Sequence, residues 1–162
     1  MKLNNIKASF IFENNVIQNE NKQVIWKNGN FTFTIYKHSQ QLVNVTGLKS
    51  AEEIEQQKKL IEEMFQQKVK KVRIDNVFFS KKDYKNIDMC SLYNELKENK
   101  DYFINYNIEL FAGMYVHPKY KQYPTMIVFR TGSYTIMGGK SIKIVYECEL
   151  FLKTLIDKYL KS

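Results

Sequence analysis

Residues 127–140 read Ile-Val-Phe-Arg-Thr-Gly-Ser-Tyr-Thr-Ile-Met-Gly-Gly-Lys. Two apolar runs, 125–129 and 134–137, flank the polar segment 130–133, which contains a glycine. Short β-prone runs separated by such a segment predict a β-hairpin. Ser141 follows directly and is a preferred helix N-cap residue, so the pattern predicts a hairpin that leads into the C-terminal helix.

The same pattern occurs earlier in the chain, which indicates an internal repeat. Residues 46–50 (Thr-Gly-Leu-Lys-Ser) correspond to residues 137–141 (Met-Gly-Gly-Lys-Ser), and strands are predicted at 30–36 and 42–46. A further strand is predicted at 23–26, followed by a hairpin turn centred on Asn-Gly at positions 28 and 29.

Each half contains one predicted long helix. Ser50 and Glu53 have the spacing of a capping box, in which each side chain accepts from a backbone N–H at the helix start. Apolar residues then recur at helical spacing in both halves. The first stripe is Ile54, Ile61, Met64 and Phe65, and the second is Val145, Cys148, Leu152, Leu155, Ile156 and Tyr159.

Each half also begins with a similar strand, at residues 3–9 and 74–80, which places Asn5 over Asn76. Gly47 follows Asn5 by 42 positions, whereas Gly138 follows Asn76 by 62 positions. Much of the surplus is 87–98, a predicted helix that the first half lacks. We therefore predict an α+β fold of two repeats, residues 1–67 (reduced) and 68–162, with the long helices on one face of a curved antiparallel sheet.

The composition favours an intracellular protein with a polyanionic partner. The 162 residues carry a net charge of +8, and Lys and Arg release counterions when they neutralise phosphates. Two cysteines without close spacing suggest a reducing compartment. The sequence shows no membrane-span or signal-peptide pattern and no catalytic or metal-binding motif. We therefore expect no enzyme activity, no metal and no cofactor.

Strand residues alternate between faces, so half of them are predicted to point away from the long helices. In the second half these residues are Asn76, Phe78, Ile127, Phe129, Thr135 and Met137. A mostly apolar face that no predicted element covers indicates a binding surface, for DNA, a partner protein or a second copy. An apolar sheet face suits the DNA minor groove, where apolar wedges enter between base steps and asparagines donate to groove acceptors.

The second half resembles the TATA-box-binding protein (TBP) family. Residues 106–115 (Tyr-Asn-Ile-Glu-Leu-Phe-Ala-Gly-Met-Tyr) are similar to the family's YEPELFPGLIY segment. Residues 127–140 are similar to LIFxSGKxVxTGAK without a gap, and residues 5–9 and 46–50 match the family's first half. The resemblance covers nearly the whole chain in order and implies a two-repeat saddle.

The resemblance also implies roles for individual residues. Phe111 and Phe129 occupy the positions of the two phenylalanines that the family wedges into DNA. Glu109 and Leu110 fall in the loop that docks a IIB-type initiation factor. The positions implied to contact DNA are Asn5, Lys7, Thr46, Asn76, Phe78, Phe111, Ile127, Phe129, Thr135 and Met137.

Several residues depart from the family pattern. Met137 replaces a threonine, and Lys7, Asn44 and Phe78 stand where the family has valines. Tyr36 is a candidate for one wedge position of the first half, with the register of its turn left open. DNA binding is therefore expected to depend mainly on the second half.

Two functions follow as hypotheses. The first is a TBP-like transcription-initiation factor that binds and bends AT-rich promoter DNA through the minor groove. It would recruit a IIB-type factor and the RNA polymerase machinery, in the nucleus or at a site of viral transcription. The alternative is a TBP-fold protein-interaction module with weak or no DNA binding, which Lys7, Asn44 and the reduced first half favour.

Overall fold

The computed structural model describes residues 4–17 and 22–161, so Leu3 of the predicted first strand lies outside the described residues. The strands are Asn5–Phe12 (β1), Val24–Asn28 (β2), Phe31–Ile35 (β3), Leu42–Leu48 (β4), Val69–Lys81 (β5), Tyr102–Asn105 (β6), Met114–Pro118 (β7), Thr125–Val128 (β8) and Tyr134–Gly139 (β9). The helices are Ala51–Phe65 (α1), Met89–Glu98 (α2) and Ile142–Lys158 (α3).

The nine strands follow the hydrogen-bonding order β2-β3-β4-β1-β5-β9-β8-β7-β6. The chain divides into two compact units, of which the N-terminal unit ends at Asn76 and the C-terminal unit begins at Val77. The division falls inside β5, so this strand contributes its first part to one unit and its last part to the other.

Both long helices begin as the sequence predicts. The Ser50 hydroxyl accepts from the Glu53 N–H at 3.1 Å, and the Ser141 hydroxyl accepts from the Ile144 N–H at 3.4 Å. The Glu53 carboxylate accepts from the Lys49 N–H at 2.7 Å, one residue before the N-cap, so the capping box is slightly extended. Residues 47 and 48, which follow the strand predicted at 42–46, also belong to β4.

Not all residues of the apolar stripe predicted for α1 are buried. Ile54 and Ile61 are buried, but Met64 is 49% exposed. The corresponding residue of α3, Leu155, is 8% exposed. The C-terminal unit has α2 beside the end of α3, held there by a hydrogen bond from the Asp88 N–H to the Tyr159 carbonyl at 2.9 Å. Among its described residues, the N-terminal unit has no counterpart of α2.

The N-terminal unit also lacks one strand that the sequence analysis did not identify as missing. In that unit Val24 of β2 pairs with Ile35, and in the C-terminal unit Met114 of β7 pairs with Val128. These registers make β2 the counterpart of β7. Among the described residues, β6 therefore has no counterpart in the N-terminal unit, and the surplus in the second half comprises a helix and a strand.

The β2–β3 turn differs from its prediction by one residue. The strands end at Asn28 and resume at Phe31, so the two turn residues are Gly29 and Asn30. Gly29 has a φ of 62°, as the first position of a type II′ turn requires. A glycine at that position determines the turn, whereas the prediction placed Asn28 and Gly29 at its centre.

The two glycines that correspond in the repeats allow a matched test of backbone packing. Gly47 has a φ of 92° and Gly138 a φ of 78°, so a side chain strains both positions. An added Cβ at Gly47 would lie 2.1 Å from the Asn30 carbonyl oxygen, whereas at Gly138 nothing lies within 4 Å.

We predict that Gly138→Ala lowers the free energy of unfolding by about 1–2 kcal/mol, the cost of left-handed backbone. Gly47→Ala should cost at least about 2 kcal/mol more, because β3 must also move. Urea denaturation followed by circular dichroism measures both. Equal losses for the two variants would contradict the close approach at Gly47.

Candidate nucleic-acid interface

In the C-terminal unit, the predicted alternation of β8 and β9 is confirmed. Met126, Val128, Tyr134 and Ile136 are each at most 3% exposed. The Tyr134 hydroxyl donates to Glu149 of α3 at 2.9 Å, which shows that this set faces the helix. Burial and this hydrogen bond both raise the pKa of Tyr134. The other set therefore lies on the face opposite α3, which we call the open face of the unit.

Phe111 and Phe129 form an aromatic pair at one end of this open face. Their ring centroids are 5.9 Å apart with the planes at 69°. Phe129 directly follows β8, and its N–H donates to the Ser133 carbonyl at 2.9 Å in the hairpin turn. The Phe111 N–H donates to the Asn107 carbonyl at 2.9 Å, so a tight turn holds the second ring. Phe111 remains 42% exposed.

The pair rests on Gly113 and Ile127. A Cβ at Gly113 would lie 2.6 Å from both Ile127 Cγ2 and Phe111 Cε1, and 3.0 Å from Phe129 Cε1. Only a hydrogen atom fits at this position. The same packing leaves Ile127 only 6% exposed, so the open face is more closed at this residue than the alternation alone predicts.

Further rings continue from the pair towards the outer strand, and the sequence analysis missed them. The ring centroids of Tyr115 and Phe111 are 5.5 Å apart. The His117 ring stacks on Tyr115, with the centroids 5.7 Å apart and the planes at 10°. Phe103 pairs with His117 in the β6–β7 register and is 63% exposed. The signal was available in the sequence, since 115 and 117 are alternate residues of one strand. His117 is half-buried.

Three further predicted contacts, Phe78, Thr135 and Met137, lie in the C-terminal unit. Phe78 and Thr135 are half-buried, and Met137 is 36% exposed. The Thr135 hydroxyl donates to Ser80 at 3.4 Å. Asn76, at the end of the N-terminal unit, has a buried Oδ1 without a hydrogen-bond partner among the described residues.

In the N-terminal unit, Trp26 and Phe33 stack at 5.1 Å, and Trp26 contacts Phe65 of α1 at 6.1 Å. Alternate residues therefore form the open face of this unit. Asn5 Oδ1 accepts from the Gly47 N–H at 2.8 Å, which leaves the Asn5 Nδ2 group as the donor for a ligand. Lys7 and Thr46 are half-buried.

A polar cluster that sequence reasoning missed lies on the open face of the N-terminal unit. Asn44 Nδ2 donates to Ser9 Oγ at 3.2 Å and to Asp75 Oδ2 at 3.1 Å. Ser9 also donates to Asp75, and Arg73 Nε donates to Asp75 Oδ1 at 2.7 Å. Ser9 is fully buried and Asn44 is 4% exposed. The sequence signal for this cluster is limited to Ser9 and Asn44, two polar residues that lie between apolar residues of their strands.

The strand registers determine the position of Tyr36. When the N-cap residues Ser50 and Ser141 are aligned, Val45 corresponds to Ile136. Phe33 pairs with Val45, and Met126 pairs with Ile136, so Phe33 corresponds to Met126. Tyr36 is therefore the counterpart of Phe129. The counterpart of Phe111 is residue 21, an asparagine outside the described residues. The N-terminal half thus has no second phenylalanine at the corresponding wedge position.

Glu109 and Leu110 lie in the turn that precedes Phe111. Glu109 is exposed and Leu110 is 83% exposed, which is unusual for a leucine. Both side chains are accessible to a partner protein.

Within residues 4–17 and 22–161, no cluster of three or more potential metal ligands occurs. In the same residues, no helix is long and apolar enough to cross a membrane. Burial raises the pKa of Cys148 to about 11, so this thiol is not reactive at neutral pH.

The fold and the aromatic surface define the class of protein. The structure is similar to that of Methanococcus jannaschii TBP, with a TM-score of 0.66 and 18% sequence identity over 97% of this chain and 98% of that chain. This similarity shows the TBP fold. No curated protein matches the chain in sequence.

The family model described as "Transcription factor TFIID (or TATA-binding protein, TBP)" matches residues 71–158, more than half of the chain. The chain belongs to this family, and it is a TBP-like transcription factor. The match lies in the half that contains the Phe111–Phe129 pair.

The contact at Gly113 predicts a double-mutant coupling. Gly113→Ala should lower the free energy of unfolding by about 1–3 kcal/mol, because the added methyl group overpacks the Phe111 ring. In a Phe111→Ala background the same substitution should cost less, since that ring is absent. Denaturant unfolding of the four proteins gives the coupling energy.

Phe103→Ala provides the matched background, because Phe103 lies on β6 and is not among the atoms nearest to Gly113. The cost of Gly113→Ala should not change there. An identical cost in the Phe111→Ala and Phe103→Ala backgrounds would contradict the packing described.

Proposed function

We propose that the chain is a transcription-initiation factor that binds AT-rich duplex DNA in the minor groove and bends it. The observation that carries the proposal is the Phe111–Phe129 pair, held over Gly113 on an open face. Minor-groove proteins kink DNA by inserting apolar side chains between base steps. The pair is exposed at Phe111, buttressed by Ile127 and belongs to a chain of net charge +8.

The two halves take unequal parts in this proposal. The C-terminal half supplies the wedge, with Phe78, Ile127, Thr135 and Met137 beside it. In the N-terminal half, Asn5 offers an amide donor, Lys7 a cation and Thr46 a hydroxyl, whereas Asn44 is committed to Ser9 and Asp75. We propose two repeats, residues 1–67 and 68–162, of which the second determines most of the affinity.

We further propose that the exposed turn at Glu109 and Leu110 recruits a IIB-type initiation factor and, through it, RNA polymerase. An exposed leucine beside a carboxylate offers an apolar contact with a charged rim. The protein would act without catalytic activity or cofactor, in the nucleus or at a site of viral transcription.

The wedge is tested with Phe111→Ala combined with Phe129→Ala. We predict that DNA bending, measured by fluorescence energy transfer between the ends of an AT-rich duplex, is lost. Affinity should fall on the order of tenfold or more, because the inserted rings no longer offset the cost of unstacking. Leu150→Ala, at a 66% exposed residue of α3, away from the open face, is the control and should bend DNA normally. Normal bending by the double variant would refute the wedge.

The docking turn is tested with Glu109→Ala combined with Leu110→Ala. DNA binding should be unchanged, while assembly of the ternary complex with a IIB-type factor should weaken on the order of tenfold. A gel-shift titration with that factor measures both steps. Leu150→Ala is the control, since Leu150 is 66% exposed on α3. The assignment fails if the control weakens the complex as much as the turn variant does.

The polar cluster gives a specific reason to keep a second candidate, a protein-interaction module. The Asp75 carboxylate, with a side chain 19% exposed, lies on the surface that would face DNA phosphates. Arg73 Nε lies 2.7 Å from this carboxylate, so the ion pair adds no net positive charge there to attract a polyanion. The absence of a gel shift with AT-rich and random duplexes at low salt would favour this second function.

A further inference from the structure

The C-terminal unit contains a cavity of about 710 Å³ beside the Phe111–Phe129 pair. Three chain segments form its walls: the end of β5 with residues 82–84, the loop 106–112, and the hairpin turn that follows β8. Phe129 lines it, so one ring belongs both to the wedge pair and to the cavity wall.

The walls are held by backbone contacts between segments distant in sequence. The Asp83 N–H donates to Ser133 Oγ at 2.9 Å, and the Lys85 N–H donates to the Thr131 carbonyl at 2.8 Å. On the loop side, Tyr106 packs against Tyr93 of α2, with ring centroids 6.2 Å apart. These contacts hold the segments that form the walls together.

The charge of the lining favours an anion. Lys81, Lys82 and Arg130 contribute three cations. Asp83 contributes the single carboxylate among the lining residues, and Lys85 lies 3.4 Å from it. A hydrogen bond from the Tyr84 N–H lowers the pKa of Asp83, so this group is charged at neutral pH and already neutralised by its partner.

The rest of the lining favours a flat ring with polar edges. Tyr84, Tyr106 and Phe129 provide aromatic surface, and Tyr84 is 91% exposed. The hydroxyls of Ser80, Thr131 and Ser133 provide donors and acceptors. Aromatic rings beside cations are the chemistry that binds a nucleotide, through base stacking and phosphate contacts.

We propose that this cavity takes one nucleotide unit, extruded from the duplex at the step that the wedge opens. The inference rests on the proposed DNA binding and goes beyond it. Because Phe129 is shared, a base displaced beside the wedge lies next to the cavity mouth. The base stacks on the tyrosines, and the cations hold its phosphate.

The test compares an AT-rich duplex with versions that carry a single bulged 2-aminopurine at successive positions. A bulge has already lost its stacking, so extrusion costs less. With the bulge beside the wedge step, affinity should rise on the order of tenfold, as one stacked base contributes. The 2-aminopurine fluorescence should be quenched at that position.

The variant Lys82→Ala with Tyr84→Ala removes a cation and an exposed ring from the cavity. It should abolish the bulge preference and the quenching while leaving binding to the paired duplex within about twofold. Tyr120→Ala with Lys121→Ala is the matched control, because it removes the same residue types at exposed positions outside the cavity.

The outcomes separate this inference from the proposed function. If neither duplex binds, the proposed function fails. If the paired duplex binds and no bulge is preferred, or if the control variant loses the preference equally, only the cavity assignment is overturned. Micromolar binding of free deoxyadenosine monophosphate without a bulge preference would assign the cavity to a free nucleotide and also overturn the proposal.

Discussion

Each long helix covers only one face of the strands against which it packs, and this constraint determines the role of almost every strand residue. In the C-terminal unit, the Tyr134–Glu149 hydrogen bond and the burial of Val128 commit one set of side chains to α3. The alternate set, which includes Phe129, is left for an external partner. The surface that binds a ligand is thus a consequence of how the core is formed.

In both units one set of strand residues faces the long helix, but the residues of the open faces differ in chemistry. Ile127 and Thr135 of the C-terminal unit correspond to Thr34 and Asn44 of the N-terminal unit, where the same paired register occurs. One face presents an aromatic pair over a glycine, and the other presents a hydrogen-bonded cluster around Asp75. An apolar wedge separates stacked bases, whereas a satisfied polar cluster has no group to insert. We therefore infer that the repeats have different functional roles.

The sequence predicts the repeat, both helix starts and the positions of the phenylalanine pair, because N-caps and strand alternation are local signals. It does not show that β6 has no counterpart among the described residues of the N-terminal unit, since a single apolar strand such as Val24–Asn28 matches more than one strand of the other half. The Asp75 cluster and the cavity each join segments far apart in the chain, which no local pattern indicates.

The central claim is that the C-terminal half alone unstacks DNA. The most direct measurement is a scan of 2-aminopurine through every position of a fully paired AT-rich duplex, with the fluorescence of each complex compared with that of free DNA. The account predicts one strongly unstacked step at one end of the binding site, because among residues 4–17 and 22–161 a phenylalanine pair at the wedge positions occurs in the C-terminal half alone. Two equally unstacked steps at opposite ends, or none, would contradict it.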